Sequence, residues 1–274
     1  MSEIFKTKAI ILGLVWLLVG AFSMSFAAAQ DKSFKLKVLS YNIHIGNPPD
    51  KPGVTDLKGI AKVINDSDAD LVALQEVDVF TNRSGKNLDQ ATELARLTKR
   101  HHYFVKTIDH DGGEYGIAIL SKFPIVKKES YLLPSAEGVR GEQRAIAFVT
   151  VEIDEGVFLD FASTHFDLTP QTRLLQSTFI ADLVKNRNLP ILLGGDFNAV
   201  PNSDEIRLLD QYFKRSEISN GFTIPEGNPT REIDFIMYTP EHRFKIERHE
   251  VIQEHFASDH LPVFVEVVFS TKQS

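Results

Sequence analysis

The chain has 274 residues, a formal net charge of −7, 43% hydrophobic and 24% charged residues, and no cysteine. That is the composition of a globular protein long enough to bury its own core. It excludes disulfides, thiolate metal sites and cysteine nucleophiles. The acidic balance gives no general electrostatic hold on a polyanion, which is gripped through many Lys and Arg contacts.

The N-terminus is a separate object. Lys6 and Lys8 precede the apolar run AIILGLVWLLVGAFSMSF, which ends in Ala27-Ala28-Ala29 before Gln30-Asp31-Lys32. A basic start, a hydrophobic middle and an A-x-A site read as a secretory signal peptide over residues 1–29. The run is also long enough for an uncleaved membrane anchor. The expected location is secreted or periplasmic, or membrane-anchored where the segment is kept.

From Phe34 onward, strand-like and helix-like segments intermingle with no linker between them. FKLKVLSYNI alternates and then turns apolar, as a strand entering a core does. LKGIAKVIN sets Leu57, Ile60, Ala61 and Ile64 at helical spacing, and DLVALQEV returns to strand. LDQATELARLTKR reads as a helix, with His101 and His102 complementing its C-terminal end. YGIAILS, EQRAIAFVTVEI and VFLDFASTHF read as strands. Thr172 to Asn186 reads as a helix with Leu175, Phe179 and Leu183 on its apolar face, followed by the buried strand PILLGG. IDFIMY and LPVFVEVVF are late strands, and the last three residues should fray. Roughly nine or ten strands against three or four helices, with hairpin-like neighbours, favour an α/β sandwich over a βαβ barrel. One domain, over residues 30–274, is expected.

Several strands end in residues able to carry chemistry. Asn42 closes SYN, Glu76 closes LQE, His165 stands in STHFD, and Asp196 and Asn198 stand in GGDFN. Asp234 opens IDFIM, and Asp259 and His260 precede the last strand in SDHLP. Taken singly, each has another reading: a solvated strand end, a turn, a structural histidine, or an ion pair between Asp234 and Arg231. Their recurrence at strand ends, where α/β sheets place their sites, favours a functional cluster. Oxygen ligands without cysteine suit Mg²⁺, with Mn²⁺ possible, better than structural zinc. Two histidines beside such a site suit proton transfer and stabilisation of a charged oxygen, the parts a phosphoester hydrolysis needs.

In order along the chain, SYNIHIG, LQEVD, GGEYGIAILSKFPI, STHFD, GGDFNAVPNS, IDFIMY and SDHLPV resemble the endonuclease/exonuclease/phosphatase superfamily, in particular its exported bacterial members. The resemblance spans Lys35 to Phe269. It implies the deoxyribonuclease I-like fold, a four-layered α/β sandwich of two mixed β-sheets packed face to face with flanking helices. It also implies hydrolysis of a phosphoester by in-line attack of an activated water. On that pattern Asn42, Glu76 and Asp259 are expected to hold the metal. Asp196 would orient or deprotonate the water, and Asn198 would hold the phosphate or that water in line. Asp234 would pair with His260 over the scissile phosphate. His165 would donate to a phosphate oxygen or act as an acid toward the leaving group. Arg83, Tyr115 and Arg144 are weaker candidates for substrate binding, with surface and core readings beside them.

The expected partner is a phosphoester substrate: nucleic acid first, with a lipid headgroup or a small phosphomonoester as alternatives. A non-catalytic phosphate-binding module is the rival reading. No protein partner is implied, and a monomer is expected. The choice of substrate is expected to lie in the loops Gly46 to Gly53, Asp109 to Gly113, Leu133 to Gly141 and Ser219 to Pro229.

Overall fold

Strands β1 (Ser33–Asn42), β2 (Leu71–Val79), β3 (His101–His110) and β4 (Gly113–Ser121) belong to one sheet, and β5 (Ile125–Leu132), β6 (Ala145–Asp154), β7 (Val157–His165) and β8 (Ile191–Asp196) to a second. The second sheet is completed by β9 (Lys214–Arg215) and β10 (Asp234–Tyr238), the first by β11 (Phe244–Val251) and β12 (Val263–Ser270). The strand orders are β11-β12-β1-β2-β4-β3 and β5-β6-β7-β8-β10-β9. These are seen in a computed structural model that describes residues 32–271 except 218–220 and 241–243. The expected signal peptide or anchor and the fraying C-terminus lie outside the described residues.

Both sheets are mixed. β1 with β2, and β7 with β8, pair in parallel, and the remaining pairs are antiparallel. The alternation of side chains along each strand then builds the layers. Leu36 and Val38 of β1 and Leu192 of β8 enter the core between the sheets. Leu39 and Tyr41 of β1 face outward to α1 (Leu57–Ser67) and α2 (Gln90–Thr98). Leu193 of β8 faces outward to α3 (Pro170–Lys185) and α4 (Asp204–Leu209). The result is the four-layered sandwich.

At the site-bearing end the sheets approach so closely that β8 needs a glycine. A Cβ on Gly194 would stand 2.8 Å from the Ala73 Cβ and 3.1 Å from the Ser40 Cβ, both on the opposing sheet.

The eight strands expected from sequence are the eight interior strands. The four that sequence reading passed over, β3, β5, β9 and β11, are the four sheet edges. Edge strands bury little, so their apolar alternation is weak. His101 and His102 belong to β3, not to the end of a helix. The α3 face is also corrected. Its buried side is Thr172, Arg173, Gln176, Ser177, Ile180, Ala181 and Val184; of the expected apolar face, Phe179 and Leu183 pack half-buried against the core, while Leu175, with Leu174, is exposed. Polar pairing replaces apolar patterning there: Arg173 Nε donates to Glu205 Oε1 at 2.5 Å, and Gln176 Oε1 accepts from Asp167 N at 3.0 Å.

The close approach at Gly194 has a measurable consequence. Gly194→Val should lower stability in denaturant unfolding by about 1–3 kcal/mol, the cost of overpacking a filled core.

Candidate active site

The parallel pairs bring the chemistry to one end. Asn42 ends β1 and Glu76 lies near the end of β2, while His165 and Asp196 end β7 and β8 as register partners. Asp234, the first residue of β10, stands opposite Asp196 on its other side. In GDFN, the strand alternation sends Phe197 into the aromatic cluster with Phe166 and Phe235, at 5.0 and 5.6 Å between ring centroids. Asp196 and Asn198 are thereby left for the opposite side.

Two positions use strained backbone to aim a side chain. Glu76 has φ 56° where the β2–β4 register shifts, and Asn198 has φ 49° just beyond β8. Bulges and left-handed residues recur beside active sites because they redirect a side chain out of the ladder.

Asn42 ties the two sheets together. Its Nδ2 donates to Glu76 Oε1 and to Asp196 Oδ2, each at 3.0 Å, and its Oδ1 accepts from His44 N at 3.0 Å. A flipped amide would set N–H against N–H, so this orientation is determined by its partners. Asn42 thus turns nitrogen, not oxygen, toward the carboxylates.

His260 comes from the loop before β12. Ser258 Oγ anchors that loop by donating to Asn42 O at 2.7 Å and accepting from His260 N at 3.3 Å. His260 Nδ1 lies 2.9 Å from Asp234 Oδ2, which also accepts from Thr223 Oγ1 at 2.5 Å. Its Nε2 is 3.8 Å from Asp196 Oδ2. Burial alone would lower this imidazole, but hydrogen bonding and charge from Asp234, with Asp196 and Asp259 adding, push it up to about 10. Asp196 is raised as well: burial and the neighbouring Asp234 charge bring it up to about 7, against the pull of His260.

His165 is buried, with Nδ1 3.2 Å from Arg144 Nη1 and Nε2 3.5 Å from Asp196 Oδ2. Burial, then the charges of Arg144 and His260, hold it well below the ordinary histidine range. Asn198 Nδ2 lies 3.2 Å from His165 Nε2 and donates to Phe166 O at 3.0 Å.

These groups open into a cleft of about 440 Å³. Its walls include Glu76, Arg83, Tyr115, Arg144, Asp196 and His260. The three weaker candidates therefore all face it. Arg83 is fixed by a two-point pair with the fully buried Asp78, at 2.8 and 2.9 Å, and lies over the Tyr115 ring at 5.5 Å. Burial first, and then Glu76, raise the Tyr115 hydroxyl above its ordinary value, so it stays protonated as a donor.

Asp259 stands apart from this set. Its side chain is 38% exposed, with Oδ1 3.8 Å from His44 Nδ1. Asp234 makes no ion pair with Arg231; it is buried on His260, while Arg231 lines the cleft. Sequence reading missed Asp78, Glu142, Thr223 and Ser258. Asp78 and Ser258 stand in LQEVD and SDHLP but beside the residues singled out there, Glu142 and Thr223 stand in no motif, and each acts through a partner that only the fold reveals.

For a cation, the cleft offers the carboxylates of Glu76, Glu142 and Asp196 beside histidine nitrogens, and the chain holds no thiolate. This chemistry fits a hard divalent ion such as Mg²⁺ or Mn²⁺. Asp196, Asp234 and His260 also bring ligand atoms within 4.8 Å of one another, close enough for a metal ion. As they stand, Nδ1 and Oδ2 are bonded to each other, so that group holds a proton.

A family model matches residues 39–260, spanning every one of these residues. The chain belongs to the endonuclease/exonuclease/phosphatase family. Within curated relatives it is 24% identical to a phospholipase C of Staphylococcus aureus, over 82% of this chain and 78% of that protein. It is 26% identical to a sphingomyelinase C of Bacillus cereus, over 66% of this chain and 62% of that protein. Among solved structures, a family protein from Bacteroides thetaiotaomicron superposes with a TM-score of 0.73 at 22% identity, covering 89% of this chain and 98% of that one. A mannosyl-6-phosphatase of the same organism superposes with a TM-score of 0.70 at 22% identity, covering 85% and 100%. The endonuclease/exonuclease/phosphatase family consists of phosphoester hydrolases that generally use a divalent metal, and the sandwich observed is its fold.

These two raised values predict the pH profile. Asp196 gains its basic form as pH rises through about 7, and His260 loses its proton as pH rises through about 10. The rate should rise across the first and fall across the second, read as kcat/KM against pH. In Asp234→Asn, burial of His260 is no longer opposed by that charge, and the alkaline limb should move to lower pH.

Proposed function

We propose that this protein is an exported, divalent-metal-dependent phosphoester hydrolase that cleaves a phosphodiester by in-line attack of water. The observation that carries the reading is the Asp234–His260–Asp196 arrangement, a buried cation and a buried carboxylate of raised pKa facing one cleft. A binding module gains nothing from an aspartate poised to exchange a proton near neutrality.

Each residue then has a task. Asp196 takes the proton of the attacking water, with Asn198 N on its Oδ1 at 2.9 Å fixing the carboxylate plane. His260, held charged by Asp234, faces the phosphoryl oxygens where negative charge develops. Asn198 and His165 offer further polar contacts to the phosphate or the water. Glu76, oriented by Asn42, would hold the metal from the cleft wall, with Asp259 contributing from the mouth. Such an ion polarises a phosphoryl oxygen and offsets charge in the transition state. Arg83 and Tyr115 bind the substrate away from the reacting bond.

The mouth of the cleft favours a lipid headgroup over a nucleic acid. Leu168, 70% exposed, lines the cleft, and Phe256, 71% exposed, precedes Asp259 by three residues. Leu132, Val200 and Phe222 are also exposed, on segments beside the site-bearing strand ends. Apolar side chains around a polar site suit a lipid surface. The acidic chain does not suit a strand of phosphates. The curated relatives named phospholipase C and sphingomyelinase C point the same way.

The test is a panel of phosphocholine lipids in vesicles, DNA, RNA, a soluble phosphodiester and simple phosphomonoesters, each with Mg²⁺, Mn²⁺ or EDTA. Metal-dependent turnover is expected. It should fall about 10²–10⁴-fold in Asp196→Asn and in His260→Ala, the scale of losing a positioned acid–base group. Wild-type activity in either variant would refute the assignment. In Leu168→Ser/Phe256→Ser, turnover of vesicles should fall while that of the soluble diester holds; equal effects on both would reject the lipid surface.

A further inference from the structure

The resemblance leaves two roles open for His165, a donor to phosphate or an acid toward the leaving group. The structure decides between them through a residue on another strand end. Arg144 precedes β6, and its backbone oxygen accepts from Leu133 N at 2.8 Å and from Gln143 Nε2 at 2.8 Å. The side chain is buried, and its Nη1 stands 3.2 Å from His165 Nδ1. Its Nη2 lies 3.3 Å from Glu142 Oε2.

A guanidinium has only N–H donors and does not lose its proton in proteins. His165 Nδ1 must therefore supply a lone pair. In a neutral imidazole the proton then sits on Nε2. Nε2 lies 3.5 Å from the Asp196 Oδ2 acceptor and 3.2 Å from Asn198 Nδ2. The Asn198 amide cannot donate to a protonated Nε2, and its Nδ2 already has an acceptor in Phe166 O. Either tautomer sets one N–H against another, because Asn198 Nδ2 also lies 3.2 Å from Nε2; an Nδ1–H would oppose the charged guanidinium, whereas an Nε2–H opposes only a neutral amide and has the Asp196 carboxylate beside it.

We infer that Arg144 is a positioning residue that locks His165 as the Nε2–H tautomer, making this histidine a permanent hydrogen-bond donor at the cleft instead of an acid or a base. The arrangement inverts the one at His260, where a carboxylate on Nδ1 favours the imidazolium. Of two histidines on one site, one is held charged by Asp234 and the other is held neutral by Arg144. Proton transfer is left to Asp196, and charge stabilisation to His260. The catalytic consequence rests on the hydrolase reading; the tautomer does not.

The rival role for Arg144 is direct substrate binding, since its Nε is buried without a hydrogen-bond partner among the described residues. The two roles separate by experiment. The full chain labelled with ¹⁵N-histidine, with His165→Ala to assign the signal, reports the tautomer by long-range ¹H–¹⁵N correlation. The expected result is Nε2–H at every pH where the protein is active. An Nδ1–H tautomer or an imidazolium at His165 in the wild type overturns the inference without recourse to any Arg144 variant. In Arg144→Met, the tautomer should become mixed. There kcat should fall about 10–100-fold with KM little changed, the scale seen when the partner orienting a ligand histidine is removed. A variant that keeps the Nε2–H signal and kcat but raises KM would make Arg144 a substrate ligand only and overturn the positioning role. A wild type with the expected tautomer and no hydrolysis of any phosphoester would support the lock and reject only the hydrolase reading.

Discussion

Everything at the site depends on Asn42 holding two carboxylates from opposing sheets. Glu76 comes from β2 of one sheet and Asp196 from β8 of the other, and one amide nitrogen spends both its hydrogens on them. Like charges in a buried setting repel and resist desolvation. Two hydrogen bonds from a neutral group offset part of that cost without adding a charge that would quench the site. The geometry requires the sheets to meet closely here, which is why Gly194 stands opposite Ser40 and Ala73. Packing and chemistry are thus one constraint: the distance that Gly194 permits is the distance that Asn42 spans.

Around that link, charge is arranged by what sits behind each histidine. His260 has a buried carboxylate behind it and His165 has a guanidinium, and both rings present Nε2 toward Asp196. The carboxylate favours the cation, and the guanidinium favours the lone pair. Asp196 therefore faces one charged and one neutral donor. Of the two rings, it is the His260 charge that pulls Asp196 down against burial and Asp234.

How much of this was legible in the sequence follows the same physics. Interior strands bury both faces or one whole face, so their apolar runs are unmistakable, and all eight were read. The four edges carry charged and polar residues such as the KKES of β5, which hide the strand. The strand-end residues were legible because they form short motifs against apolar runs. Their mutual contacts were not, because Asn42 and Asp196 lie 154 positions apart. The supporting residues were least visible of all. Thr223, Ser258 and Asp78 are ordinary polar residues until folding buries them against Asp234, Asn42 and Arg83.

The orientation of the Asn42 amide shows where motif reading reaches its limit. A motif reports that an amide stands beside two carboxylates, but not which end of the amide faces them. The backbone N–H of His44 settles that, by claiming the oxygen and turning the nitrogen inward. Asn42 sets the direction in which the Glu76 carboxylate faces the cleft. Replacing it with aspartate would preserve the acceptor for His44 yet place a third negative charge where two hydrogens now stand. The identity of this one side chain, more than its polarity, is what lets two acidic strand ends share a site.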